Sequence, residues 1–332
     1  MAMKMQDIPM IPNRKASLPR IYGDTPTFLG IPVAASPTDI QKADVVIMGV
    51  PWEGTITWGT YSGCELAPKA IRHAAARYGG YLPEYDIDSL SVLKVADAGD
   101  VQIDPSSPAR TMAMVRAKAA EIYGGKAVPI TFGGDHSFTP AIIEALSDHV
   151  KGNIGIVHFD AHLDNMKAFN KEDAFPRCGP IYRLAQLPKV KTANIVQIGI
   201  RGPRNAPSEG AFAKKIGATV FTIRDIRRLG MDKILEQAIN IAYRGAEAVY
   251  VTVCSDVIDA AYNPGGPIDF DGLAPHDLFS ALYTLGEKGV AGLDFVEVYP
   301  LSDRNNVSAH LAAWAVVYAL VGMAAGRKAR TR

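Results

Sequence analysis

Residues 127–164 read AVPITFGGDHSFTPAIIEALSDHVKGNIGIVHFDAHLD. A short β-branched run, AVPITF, meets two glycines. A helical stretch then opens at Thr139-Pro140 and closes before a second run, NIGIVHF. Two uninterrupted apolar runs joined through a helix predict parallel strands buried on both faces. The same alternation extends outward. DVVIMGV, ELAPKAIRHAAARYG, VLKVAD and SPARTMAMVRAKAAEIYG precede this stretch. ANIVQIGI, ATVFTI, AVYVTVC and GLDFVEVY follow it, spaced by segments such as DIRRLGMDKILEQAINIAYRG and PHDLFSALYTLGEKG. The pattern predicts one α/β domain over residues 41–326 with a central, mainly parallel sheet of about eight strands. A proline-rich extended arm is expected over residues 1–40, and a disordered basic tail over 327–332.

Composition narrows the function. The 332 residues carry 35 Lys+Arg against 34 Asp+Glu, a formal charge of +1, with 48% hydrophobic residues. Without a charge block, neither a nucleic acid nor an anionic membrane is an expected partner. Cys64, Cys178 and Cys254 are too few and scattered for a disulfide framework, which suggests a reducing, cytoplasmic setting. The N-terminus lacks the apolar core of a secretion signal. The run from Leu311 to Gly326 is shorter than the roughly 20 residues that span a bilayer, so a buried C-terminal helix is expected there.

In an open parallel sheet the reactive groups lie just beyond the carboxyl ends of the strands. Gly133 and Gly134 are expected to turn the chain sharply and deliver Asp135 and His136 to that rim. In HFDAHLD, alternation along an extended chain puts Asp160, His162 and Asp164 on one face, about 6 to 7 Å apart. AVYVTVC ends at Cys254-Ser255-Asp256, where Cys254 and Asp256 share a face. In GLDFVEVYP, Asp294, Val296 and Val298 lie on one face and Glu297 on the other. Taken singly, each has an ordinary reading: His136 as a cap, the acids as solvated strand ends or hydrogen-bonding groups. Taken together, two imidazoles and three aspartates suit a divalent first-row ion better than structural zinc. Two such ions activate water for attack at neutral pH, which points to hydrolysis.

These residues resemble the ureohydrolase family of arginases, agmatinases and guanidine-type hydrolases. GGDHS matches its first motif, HFDAHLD its second and DFVEVYP its late glutamate motif, with GVPWEGTITWGTYSGCELAPKAIR similar to its entry region. The resemblance covers about residues 40–326. It implies a three-layer α/β/α arginase-like fold, a trimer or hexamer, and one or two divalent ions, nickel or manganese. Their task would be cleavage of a guanidino C–N bond with release of urea or a related product. By position, it implies His136, Asp160, His162, Asp164 and Asp256 as metal ligands, Glu297 as holder of the substrate cation, and Asp256 as a group that moves a proton.

Two departures from the family pattern are visible. Cys254 stands where the family has a bridging aspartate, and as a metal ligand it would be softer and shorter than a carboxylate. Cys178 stands where a proton-shuttling histidine is usual, which would make it a catalytic residue. Either cysteine can equally be a small buried hydrophobe. The stretch DVIDAAYNPGGP resembles the guanidine and biguanide (metformin) hydrolase branch, which is associated with nickel and with paired unlike subunits. Two readings follow. The chain is a metal-dependent amidinohydrolase acting on guanidine, a substituted guanidine, a biguanide or an agmatine-like substrate. Alternatively it is a non-catalytic partner of an active paralogue, its own centre impaired by Cys254 and Cys178.

Overall fold

The computed structural model describes residues 25–54, 61–168 and 173–331. Its strands, in chain order, are β1 (Val45–Val50), β2 (Tyr81–Leu82), β3 (Ile87–Asp88), β4 (Val95–Asp100), β5 (Val128–Gly133), β6 (Asn153–Phe159), β7 (Val190–Ile200), β8 (Thr219–Thr222), β9 (Ala246–Cys254) and β10 (Gly292–Val296). β2 and β3 make a small antiparallel ribbon. The other eight form one parallel sheet in the order β4-β1-β5-β10-β9-β6-β7-β8.

Strand alternation feeds two cores. Val45, Ile47, Ile130, Phe132, Val157, Phe159, Val251, Val253 and Phe295 point to one face. Val46, Met48, Val50, Ile154, Ile156, Tyr250, Cys254 and Val296 point to the other. Helices 67–75, 231–242, 275–288 and 307–331 cover the first face; helices 108–124, 139–149 and 180–184 cover the second. The result is the expected three-layer α/β/α arrangement. Burial of each large side chain such as Phe132 contributes about 1.5–3 kcal/mol.

The helix Val307–Thr331 is apolar and long enough to cross a membrane, yet 72% of its most apolar window is buried inside the protein. It packs on the helix Pro275–Lys288 through small residues. A Cβ at Gly322 would lie 2.0 Å from the Tyr283 carbonyl oxygen, and one at Gly326 would lie 2.2 Å from that of Glu287.

Three local expectations change. Residues 1–24 of the proposed arm lie outside the described residues. The remainder is not simply extended: Phe28 is fully buried, its N–H donates to Asp97 Oδ2 at 2.9 Å, and Ser36 and Asp39 form a capping box for the helix Pro37–Gln41. Asp97 is held in turn by a two-pronged pair with Arg72, both contacts 2.9 Å. Of the basic tail, residues 327–331 continue the C-terminal helix, Arg327 pairs with Asp44 at 2.5 Å, and Arg332 lies outside the described residues. Finally, neither Gly133 nor Gly134 takes a left-handed φ. Space is what requires Gly134: a Cβ there would lie 1.8 Å from the Trp52 carbonyl oxygen, where the loop after β1 crosses the end of β5.

Candidate metal centre

The carboxyl ends of four consecutive strands, β5, β10, β9 and β6, frame one cavity of about 230 Å³. His136 enters from the tight turn after β5, Asp160, His162 and Asp164 from the loop after β6, and Cys254 from the last position of β9. Asp256 follows in the turn Ser255–Val257, and Glu297 comes immediately after β10. Cys178 and Arg177 approach from the segment before the helix Pro180–Leu184. His136, Asp160, His162, Asp164, Cys178, Cys254, Asp256 and Glu297 therefore line one space, whereas Asp135 and Asp294, also singled out in the sequence, do not; the strands are not all adjacent, since β10 separates β5 from β9.

Donor atoms gather in two groups that share Asp160. In the first, His136 Nδ1 lies 3.3 Å from Asp160 Oδ2 and 3.1 Å from Asp164 Oδ2. In the second, His162 Nδ1 lies 3.2 Å from Asp160 Oδ1 and 3.1 Å from Asp256 Oδ2. His162 Nε2 also faces Asp269, at 3.4 Å. Strand alternation does not produce this meeting. β6 stops at Phe159, the following residues form a loop, and Asp164 holds a left-handed φ of 49° that turns its carboxylate back toward His136. Glu297 does the same at the end of β10, with φ 62°. Left-handed backbone in non-glycine residues is costly, and here two pocket carboxylates carry it.

The supporting hydrogen bonds assign the ring nitrogens. Asp294 accepts from three hydroxyls: Thr139 (2.8 Å), Tyr250 (2.9 Å) and Thr252 (2.5 Å). The single Thr252 proton is thereby used, so its oxygen accepts from His136 Nε2–H at 2.7 Å. His136 Nδ1 is left facing the two aspartates, and that buried atom has no hydrogen-bond partner. His158 is set the opposite way. The Gln197 side-chain amide donates to the Leu163 carbonyl (2.7 Å) and to His158 Nδ1 (3.1 Å), which leaves His158 Nε2–H to donate to Asp160 Oδ2 at 3.0 Å. His158 therefore orients the shared aspartate. Asp256 is steadied by the Ala161 N–H at 3.0 Å, and Arg201 donates to the carbonyls of Asp256 (2.7 Å) and Asp269 (3.1 Å).

The electrostatics are those of a place short of positive charge. Burial opposes charging His136, yet the facing Asp160 and Asp164 hold its pKa well above the usual histidine range. His162 is raised likewise, with Asp256 the largest force against burial. Burial pushes Asp160 up, but its three imidazole neighbours, His158 first, bring it well below the carboxylate range. Burial and the Asp160 charge together raise Asp164. A buried His136 nitrogen with no hydrogen-bond partner, converging carboxylates and excess negative charge fit a divalent first-row cation.

The cysteines lie at the edge of this arrangement. Cys254 lines the cavity but belongs to neither donor group. Burial, and then the charges of Asp160, Asp256 and Glu297, push its thiol well above its ordinary value. Cys178 packs with its sulfur 3.4 Å from Met166 Sδ, and burial followed by the Asp164 charge pushes it up to about 12. Glu297 accepts from the His136 N–H at 2.9 Å and the Tyr299 hydroxyl at 2.7 Å. Burial first, opposed by Arg177 and reinforced by Asp135, raises Glu297 to about 7. Asp135 itself is used structurally, accepting from Ser137 and from the Gly54 N–H.

Residues 43–322 match the arginase family. The chain is 32% identical over 268 residues to a formimidoylglutamase from Halalkalibacterium halodurans, spanning 79% of this chain and 82% of that protein. It is 28% identical to a guanidinopropionase from Pseudomonas aeruginosa, spanning 90% and 91%. Its fold superposes on the proclavaminate amidino hydrolase of Streptomyces clavuligerus with a TM-score of 0.84 at 27% identity, covering 92% of this chain and 99% of that one. With the family match running across the whole sheet and every element that frames the cavity, the chain belongs to the arginase family.

Proposed function

We propose that this protein is a metal-dependent hydrolase of guanidino-type C–N bonds, with urea or a related small product. The observation that carries this reading is the double use of Asp160 between two donor groups, each with its own imidazole and a further aspartate. In it, His136 and Asp164 would hold one divalent ion and His162 and Asp256 a second, with Asp160 available to either. Such an ion supplies Lewis-acid activation of water at neutral pH. The chain's own residues do the rest. Thr252 and Asp294 fix the His136 ring, His158 fixes Asp160, Glu297 anchors the substrate cation, and Asp256 moves the proton. Cys178 holds its proton at neutral pH, so any part it takes is as a donor and not as a base. A cation beside Cys254 would favour its thiolate and draw it in as an additional ligand.

Manganese or nickel suits the oxygen and imidazole donors. Names of similar proteins support a substrate that carries an amidino group. Guanidine, substituted guanidines, biguanides such as metformin, and agmatine-like compounds are the class we propose, in a cytoplasmic trimer or hexamer.

A second reading is favoured by two observations: Cys254 sits outside both donor groups, and Arg177 lies on Glu297. In it, this chain is the non-catalytic partner of an active paralogue in a hetero-oligomer. The test is to purify the chain alone and with a paralogue, measure bound metal, and assay urea or amine release from the compounds above. Metal and activity in the lone chain, lost in Asp160→Ala, support the hydrolase. Activity of the pair alone, indifferent to Asp160→Ala in this chain, replaces it with the partner reading.

A further inference from the structure

The buried carboxylate of Glu297 already has a guanidinium on it. Arg177 Nη1 lies 3.4 Å from Glu297 Oε2 and 3.4 Å from the Tyr299 hydroxyl, while Nη2 lies 3.3 Å from Glu53 Oε1 and 3.5 Å from Asp135 Oδ2. Arg177 is 5% exposed and lines the cavity with Glu297 and Tyr299. Glu297 Oε1 is meanwhile taken by the His136 N–H, and Oε2 by the Tyr299 hydroxyl. A planar cation that approaches this carboxylate for two parallel hydrogen bonds finds both oxygens engaged and a like charge alongside.

We infer that Arg177 weakens the grip of the pocket on a cation, by holding from within the chain the place on Glu297 that a guanidino or amidino cation would take. The inference rests on the reading of Glu297 given above, and it adds a resident competitor. Arg177 has two other acids to lean on. A shift toward Glu53 and Asp135 would release Glu297 without leaving the arginine unpaired, so the contact is a competition and not a plug.

The test is calorimetric titration of the full chain, stripped of metal by chelator so that binding is read without turnover, with guanidinium chloride and with agmatine. Arg177→Met is expected to bind both at least tenfold more tightly than the unmodified chain, and Arg177→Lys, which keeps the cation, is not. Adding Glu297→Gln to Arg177→Met is expected to abolish the gain. A gain for guanidinium alone would mark a void left by truncation and would overturn the inference, as would no gain, or one that survives Glu297→Gln. Should Arg177→Met fail to fold, Glu297→Gln in the otherwise unmodified chain decides. A loss under threefold is expected where Arg177 competes for the carboxylate, and a loss of tenfold or more contradicts that competition. Absence of hydrolysis would sink the proposed activity and leave these binding results standing.

Discussion

The hydroxyl oxygen of Thr252 lies 2.7 Å from His136 Nε2, and through it a buried aspartate one strand away, Asp294, decides which imidazole nitrogen faces the cavity. Thr252→Val keeps the shape and removes this link. Loss of such an outer hydrogen bond typically weakens metal binding by about 10–100-fold. Titration of the metal-free protein with manganese checks it; unchanged affinity would show that packing alone orients the ring.

Sharing of Asp160 predicts unequal metal losses. Asp160→Asn is expected to empty both donor groups, whereas Asp256→Asn leaves His136, Asp160 and Asp164 together and retains one ion per chain. Elemental analysis after dialysis distinguishes them. Equal loss in both variants would contradict a shared aspartate.

Glu297 gives a pH signature. Its folded pKa of about 7 lies above the ordinary 4.5, so the native state binds the proton more tightly than the unfolded chain does. This contribution to stability is full below 4.5 and is lost as pH rises through 7. Glu297→Gln escapes that loss, so its stability relative to the unmodified chain should improve between pH 5 and pH 8, by up to about 3 kcal/mol. Urea unfolding at the two pH values measures the change, and a relative decline would refute the assignment.

Cys178 should behave as a thiol. With its pKa pushed up to about 12, roughly one molecule in ten thousand carries the thiolate at pH 8. Alkylation of the metal-free protein at this cysteine is therefore expected to be far slower than that of a free thiol, and to accelerate steadily up to pH 10. Rapid labelling at pH 7 would reopen a role as proton acceptor.

Gly322→Ala should destabilise the helix pair, since its methyl would enter the Tyr283 carbonyl. Overpacking of this kind costs about 1–3 kcal/mol, readable by calorimetry. A neutral result would mean that the two helices separate freely.

Much of this was legible in the chain. Both-face burial writes itself into sequence as uninterrupted runs such as DVVIMGV and AVYVTVC, so the sheet and its strand count were readable, and strand ends pointed to His136, Asp160 and Asp256. What stayed hidden depends on distant partners. His158 stood inside a quoted motif, but its role comes from Gln197, 39 residues on. Arg177 precedes Cys178, yet its meaning appears only where Glu297 meets it, 120 residues later. Asp269 and Arg201 sit in loops whose course no periodicity encodes. Asp164 and Glu297 reach the cavity through left-handed φ values that propensity argues against, and Gly134 is dictated by a crossing chain, not by its own turn.

The sheet order has a consequence for biosynthesis. β10 is the last strand to leave the ribosome, yet it joins β4-β1-β5 to β9-β6-β7-β8. Without β10 the sheet order falls into two halves, with His136 after a strand of one and Asp160, His162 and Asp256 after strands of the other. The donor group that His136 completes must therefore wait for β10, whereas Asp160, His162 and Asp256 already lie together on one half, so a molecule truncated before Gly292 should hold at most one ion.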